Sequence, residues 1–332
     1  MNPGKIAIGI LALMFFITGH VYGQTCCTGG VPVTGNLGLG AVESRSLQLQ
    51  LTYDHNAMHH LISETSNLGE SNRKRRTRSG LLEFNYGINE RFSLGGLFPY
   101  VSQEREVITH NGKTEIETAS GIGDMVLLLK YRVFSGTHFY EWHLIFGAGP
   151  KIPLGSTQRK NSQGLSLPAD MQPGTGSWDG LLWLHLSRDH FLMDNLNFMA
   201  ISTFKLSGKN SEYLNNNSYR FGDEFQLSSG FSYQFFAGWV TEIFNHFRYR
   251  YQTTDFFNNL VMPGTGGHWL YTSPGVQISP FPDLSFRMYG DIPVYRNLRG
   301  LQLTTSYRFN ISAAFLLPLR KSPVIIREDS PF

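Results

Sequence analysis

The stretch LQLTTSYRFNISAAF, residues 301–315, alternates apolar and polar side chains almost without a break. Leu301, Leu303, Tyr307, Phe309, Ile311, Ala313 and Phe315 share one parity, and Gln302, Thr304, Ser306, Arg308, Asn310 and Ser312 share the other. A period of two places the sets on opposite faces of one extended strand. Strands in globular proteins average about five or six residues, and this one runs more than twice as far. Its odd face needs a broad apolar surround, and its even face a polar one.

The start of the chain says where such a surround is found. MNPGK carries one positive charge, an apolar run extends from Ile6 to Val21, and Tyr22 and Gly23 follow. Basic n-region, apolar h-region and small residues at the cut make residues 1–23 a secretory signal peptide cleaved after Gly23. The alternative, an uncleaved anchor helix, needs a run of about 20 apolar residues. Gly23, Gln24 and Thr25 before Cys26 do not form a lipoprotein box.

Composition agrees with an exported β protein. Charged residues are 16% of the chain, against about 25% in ordinary domains, and there are 35 Gly, 25 Phe and 15 Tyr. A net charge of +3 is too small to imply a polyanionic partner, and nucleic acid is not expected. Past the signal no apolar run approaches about 18 residues, so no helix is expected to cross a bilayer. Two adjacent cysteines, Cys26 and Cys27, exclude a disulfide framework.

The opening pattern recurs along the chain. It predicts twelve strands, near 44–55, 79–88, 91–103, 120–133, 138–152, 177–188, 191–207, 220–235, 237–252, 268–280, 283–297 and 301–316, with ten or fourteen as the alternatives. Tight joins (INE, FSGT, RDH, FA, FPD) alternate with long polar ones such as NAMHHLISETSNLGESNRKRRTR and GKNSEYLNNNSY. That gathers every long loop at one end of an up-and-down barrel, the layout of bacterial outer-membrane barrels. A soluble barrel or sandwich is the alternative, with the apolar parity pointing inward.

The expectation is therefore an all-β, closed antiparallel up-and-down transmembrane barrel over residues 44–316. A periplasmic leader or plug (24–43) precedes it, and a periplasmic tail (317–332) follows. Leu303, Phe309 and Ile311 should face lipid and Arg308 the lumen. Trp239, Phe247, Tyr249, Tyr251, Trp269 and Tyr271 should form the interfacial girdles.

The lumen parity collects Lys130, Arg132, Glu141, His143, Lys151, Asp179, His185, Lys205, Glu224, Glu242, His246, Arg248, Arg250, Arg287, Asp291 and Arg308. Fixed charges of both signs suit a substrate path. They also serve as ion pairs that fill and brace a small barrel. Arg248, Arg250, Arg308, Glu224, Glu242 and His246 are expected to line one constriction. No catalytic set emerges: there is no G-x-S-x-G, and Glu141 and His143 share a face without a nucleophile. GNLGLG (35–40) lacks the strand–helix context of a phosphate loop.

Three stretches stand outside the lumen. RKRRTR (73–78) reads as a solvated loop face or as a contact for lipopolysaccharide, without the interleaved aromatics of a nucleic-acid site. His55, His59 and His60 supply imidazoles in a loop, where Cu, Ni or Zn is the matching metal class. Cys26 and Cys27 offer soft thiolates to Cu(I) or Zn(II), or a partner-linking tail.

GIGDMVLLLKYR (121–132), GAGPKIPLG (147–155) and QPGTGSWDG (172–180) resemble marks of the outer-membrane transporter barrels grouped under the meta-pathway of phenol degradation. The resemblance implies a barrel that passes small hydrophobic or aromatic molecules. The expectation is thus a monomeric outer-membrane channel of a Gram-negative bacterium, without cofactor or enzyme activity, with lipid and lipopolysaccharide around it. The alternative is a metal-handling or partner-docking protein working through the Cys-Cys leader.

Overall fold

The computed structural model describes Gln24–Thr25 and residues 42–108, 112–134, 142–214 and 216–319. The signal segment, Cys26, Cys27, Glu141 and the tail from residue 320 lie outside these residues. Two-residue periodicity becomes strand wherever it occurs. The ring is built from β2 (Ser46–Glu64), β3 (Ser66–Gly87), β4 (Phe92–Ile108), β6 (Met125–Phe134), β7 (Trp142–Ile152), β8 (Asp179–Arg188), β9 (Leu196–Leu206), β12 (Glu224–Phe236), β13 (Val240–Gln252), β16 (Gly267–Phe281) and β17 (Leu284–Pro318). β5 (Thr114–Ile122) continues beside the outer half of β4, whose inner half pairs with β6. β1 (Gln24–Thr25) runs parallel to Gln302–Leu303, at the end of the ring opposite the short turns.

Neighbouring elements are antiparallel all the way from β2 to β16, which gives those two opposite senses. β17 pairs antiparallel with β16 through Leu284–Leu298 and with β2 through Leu298–Pro318. Its two limbs must therefore run oppositely. The 35-residue element doubles back at Arg299–Gly300, where Gly300 adopts φ +77°, a backbone region that only glycine enters freely. Eleven elements thus supply twelve staves, and pairing of β17 with β2 closes the ring.

The burial pattern is inverted relative to a soluble domain. Leu51, Leu82, Leu129, Phe146, Ile243, Phe247, Met288 and Ile311 are exposed on the outside. Asp54, Lys130, Glu224, Arg248, Arg250, Asp291 and Arg308 are buried within. An outward apolar band around a polar interior is what hydrocarbon demands, and ring closure satisfies the strand backbone without an edge. Among the described residues no helix is long and apolar enough to cross a membrane. The chain crosses by strands.

Three expectations change. The polar join between the first two strands is strand, not loop: Ala57 pairs with Arg76 and Met58 with Arg75 in a ribbon that extends the barrel wall outward. Inter-strand bonding satisfies the backbone donors and acceptors that a long loop would leave to water. Consequently His55, His59 and His60 lie on β2 rather than in a loop. Second, Leu303 is only 2% exposed, within a stretch (302–305) buried on both parities. The register there shifts between Leu298 and Leu301, at Thr304/Thr305 and at Thr305/Tyr307, and each bulge breaks the two-residue phase. Below the bulges Phe309 and Ile311 lie on the outward parity, Ile311 exposed and Phe309 half-covered by aromatic neighbours, and Arg308 is buried, as expected. Third, Trp269 and Tyr271 are buried side chains of the lumen rather than girdle residues, whereas Trp239 and Phe247 are exposed.

Candidate functional site: a two-walled lumen

The inward parity of β2, β12, β13, β16 and β17 builds one charged wall. At its centre Arg308 Nε donates to Asp54 Oδ2 at 2.5 Å, and Arg308 Nη1 lies 3.8 Å from Asp291 Oδ2. Arg248 Nη2 reaches the same Asp291 oxygen at 2.6 Å, and Ser273 Oγ donates to Asp291 Oδ1 at 2.5 Å. Toward the long-loop end Arg250 Nη2 donates to Glu224 Oε2 at 2.9 Å and to Gln252 Oε1 at 2.8 Å. Gln226 Nε2 also donates to Glu224. The guanidinium planes lie over aromatic faces, Arg248 over Tyr271 at 4.5 Å and Arg250 over Trp269 at 4.8 Å. Trp269 is itself held by its Nε1 bond to Thr304 Oγ1.

The short-turn end of this wall is different. Arg287 lies over the Phe244 ring at 4.2 Å and near Tyr289 at 5.8 Å, and its Nε is buried without a hydrogen-bond partner among the described residues. Glu242 and Arg287 both face Gln277 in the strand register, yet no ion pair joins them. His246 is buried against Phe244, ring centroids 4.9 Å apart.

The facing wall, from β3, β4, β6, β7 and β8, is apolar at mid-height. Leu81, Leu97, Val101, Val126, Leu128, Ile145, Leu181 and Trp183 form one buried cluster, with Ile201 of β9 packed on it. Below the cluster Lys130 lies over Trp183 at 4.6 Å and shares a small cleft with Glu83. His185 stacks on the same Trp183, and His143 Nε2 comes within 3.4 Å of Asp189. Arg132 is further off, donating to the Val42 carbonyl at 3.2 Å.

Above the cluster the 153–178 loop folds over the mouth. Lys151 Nζ pairs with Asp124 at 2.7 Å and with Asp179 at 3.0 Å, and also donates to Thr175 Oγ1. Asp124 receives the Thr175 and Gly155 backbone N–H groups. A Cβ on Gly174 would stand 2.5 Å from the Gly155 Cα, so only glycine allows this approach. The loop then runs to Asp170, whose carboxylate takes Arg75 Nη1 of β3 at 2.9 Å. Over it sits a small sheet of β10 (Asn210–Tyr213), β11 (Asn217–Arg220), β14 (Phe256–Phe257) and β15 (Leu260–Val261), packed on Ala169 through Tyr213, Tyr219 and Phe221. Tyr219 donates to Asp255 Oδ2 at 2.7 Å, and burial pushes both groups above their ordinary pKa values.

Of the residues expected in one constriction, Arg248, Arg250, Arg308 and Glu224 come together, with His246 beside them and Glu242 nearer the short-turn end. Sequence reasoning missed the acids and rings that hold them: Asp54, Asp124, Glu83, Trp183 and Trp269. Parity alone pointed Asp54 and Trp269 inward. The basic run divides by parity, with Arg75 fully buried and Arg76 pairing outward with Glu104 and Glu106. Among the described residues no group of three or more His, Cys, Asp or Glu side chains could hold a metal ion.

The model of the family described as "Putative MetA-pathway of phenol degradation" matches residues 70–309. An outer-membrane channel of Pseudomonas putida F1 superposes with a TM-score of 0.67 at 12% identity, over 83% of this chain and 97% of that one. The β domain of the Bordetella autotransporter BrkA gives 0.46 at 12% identity (82% and 99%), and a Pseudomonas aeruginosa FadL homologue 0.42 at 10% (83% and 91%). The first of these shows the shared fold. No curated protein matches the chain.

Proposed function

The chain belongs to the phenol-degradation MetA-pathway family, and from that membership and the two-walled lumen we propose that it is an outer-membrane channel for small hydrophobic or aromatic molecules. One observation carries the reading: a closed ring whose interior sets an apolar wall opposite a wall of arginines stacked on aromatic rings. An aromatic solute is solvated by both. Its ring gains dispersion and hydrophobic contact on one side, while fixed donors on the other replace water. The P. putida neighbour, itself an outer-membrane channel, supports the same assignment.

On this reading residues 1–23 direct export in a Gram-negative cell, and the long-loop end faces outward. Lys74, Arg76 and Arg78 share the outer parity of β3, and their charge supports contact with lipopolysaccharide headgroups. The protein acts as a monomeric conduit without catalysis or cofactor.

The test is reconstitution of the refolded barrel in planar bilayers, with and without phenol, toluene and similarly sized sugars. Discrete conductance that aromatic solutes block and sugars do not is the expected result. Absence of conductance, together with no aromatic uptake into proteoliposomes, would overturn the assignment.

A further inference from the structure

We propose that the lumen carries a station for an aromatic carboxylate, with Arg287 taking the carboxylate and the neighbouring Tyr289 the ring. This rests on the channel reading and names the substrate class within it.

Arg248, Arg250 and Arg308 each meet a carboxylate at 2.5–2.9 Å. Arg287 shares their parity and the same wall but among the described residues meets none, and its Nε has no hydrogen-bond partner among them. A charge removed from water is costly unless it is paired. The three paired arginines show that this wall supplies an acid wherever the guanidinium is permanently neutralised. At Arg287 the protein supplies ring faces instead, Phe244 at 4.2 Å and Tyr289 at 5.8 Å. Such rings hold a cation in place without occupying the edge donors that a carboxylate takes bidentately.

The surroundings fit a ring bearing an acid rather than a bare anion. Arg287 and Tyr289 are half-buried, while Phe244 is nearly fully buried between the guanidinium and His246, so Tyr289 is the ring left to meet a flat group. The acid that shares its level is Glu242, also half-buried and outside ion-pair distance. It lowers the local positive potential without capping the guanidinium, which keeps binding weak enough for release. A conducting path needs sites that bind and let go.

Calorimetric titration of benzoate into the folded wild-type barrel in detergent micelles tests the site directly. Saturable binding near one per barrel is expected, with acetate and phenol each at least about tenfold weaker, because a charge-assisted bidentate contact and ring stacking each contribute about a tenfold factor. Arg287→Gln is expected to weaken benzoate about tenfold or more, and Arg287→Lys by less. Glu242→Gln is expected to tighten it. Heat-modifiable migration on gels verifies that each variant is folded. Equal benzoate affinity in wild type and folded Arg287→Gln would overturn the proposal, as would acetate binding as tightly as benzoate. Binding is read without current, so benzoate recognition can fail while the channel still conducts, or persist in a barrel that conducts nothing.

Discussion

Asp291 takes three hydrogen-bonding or charged partners, Arg248, Arg308 and Ser273, whereas among the described residues Asp54 has Arg308 as its one recorded cation. The two arginines should therefore behave differently when removed. Arg248→Ala leaves Asp291 held by the other two, so the barrel should fold while the wall loses one positive charge. A reversal potential shifted toward cations, at unchanged heat stability, is the expected measurement; unchanged single-channel behaviour would take Arg248 out of the path. Arg308→Ala strands Asp54 in a buried position, and breaking such a pair costs about 3–5 kcal/mol. Its urea midpoint should fall well below that of Arg248→Ala. Tyr219, in the small outer sheet, carries a pH dependence of calculable sign. Burial raises its phenol, so the folded sheet favours the protonated form. That contribution is complete below the ordinary tyrosine value of about 10 and is lost as pH climbs from there toward the folded-state value. Protease sensitivity within 208–262 should be flat to about pH 9.5 and rise above it, and Tyr219→Phe should reduce the rise, with Tyr213, also raised by burial, carrying the rest.

At the scale of the element, the 153–178 loop is held across the mouth by side-chain ties. It is tied at one side by Lys151 with Asp124 and Asp179, and at the other by Arg75 with Asp170. Hydrogen bonds to charged groups contribute about 1.5–3 kcal/mol each, so loss of one tie shifts a closed-to-open balance roughly tenfold or more. Asp170→Ala should raise open probability in bilayers; Arg75 keeps Gln103 Oε1 and the residue-170 carbonyl as acceptors, so the thermal transition of the ring should move less than in Arg308→Ala. The staves were legible in the sequence because a period of two depends only on local order: Leu47, Leu49 and Leu51 announce β2 unaided. Leu303 was misplaced because bulges near Thr304 and Thr305 reset the phase, and a bulge leaves no clear local signature. Trp269 and Tyr271 were read as girdle residues from their place near a strand end, although their parity with Ser273 already turned them inward. The Arg75–Asp170 tie joins residues far apart in sequence through an irregular loop, and no periodicity predicts such a meeting.

For the whole molecule, the architecture constrains the order in which the parts can be made. The ring closes between the first and last staves, Ser46 opposite Pro318 and Asp54 opposite Asn310. Until that seam forms, β2 and the second limb of β17 are open edges, which lipid does not tolerate and which pair readily with other chains. The buried Arg308–Asp54 pair lies across this seam. A chain truncated before residue 301 should accumulate as aggregate rather than as a smaller barrel, and size-exclusion in detergent would show it; a monodisperse, heat-modifiable product would argue otherwise. The same geometry makes assembly a matter of timing. Nothing translated or exported early can finish alone, since the final hairpin must arrive before the opening strand has a neighbour on its free side. The ring becomes watertight in one late, cooperative event, with the buried Arg308–Asp54 pair as its clasp.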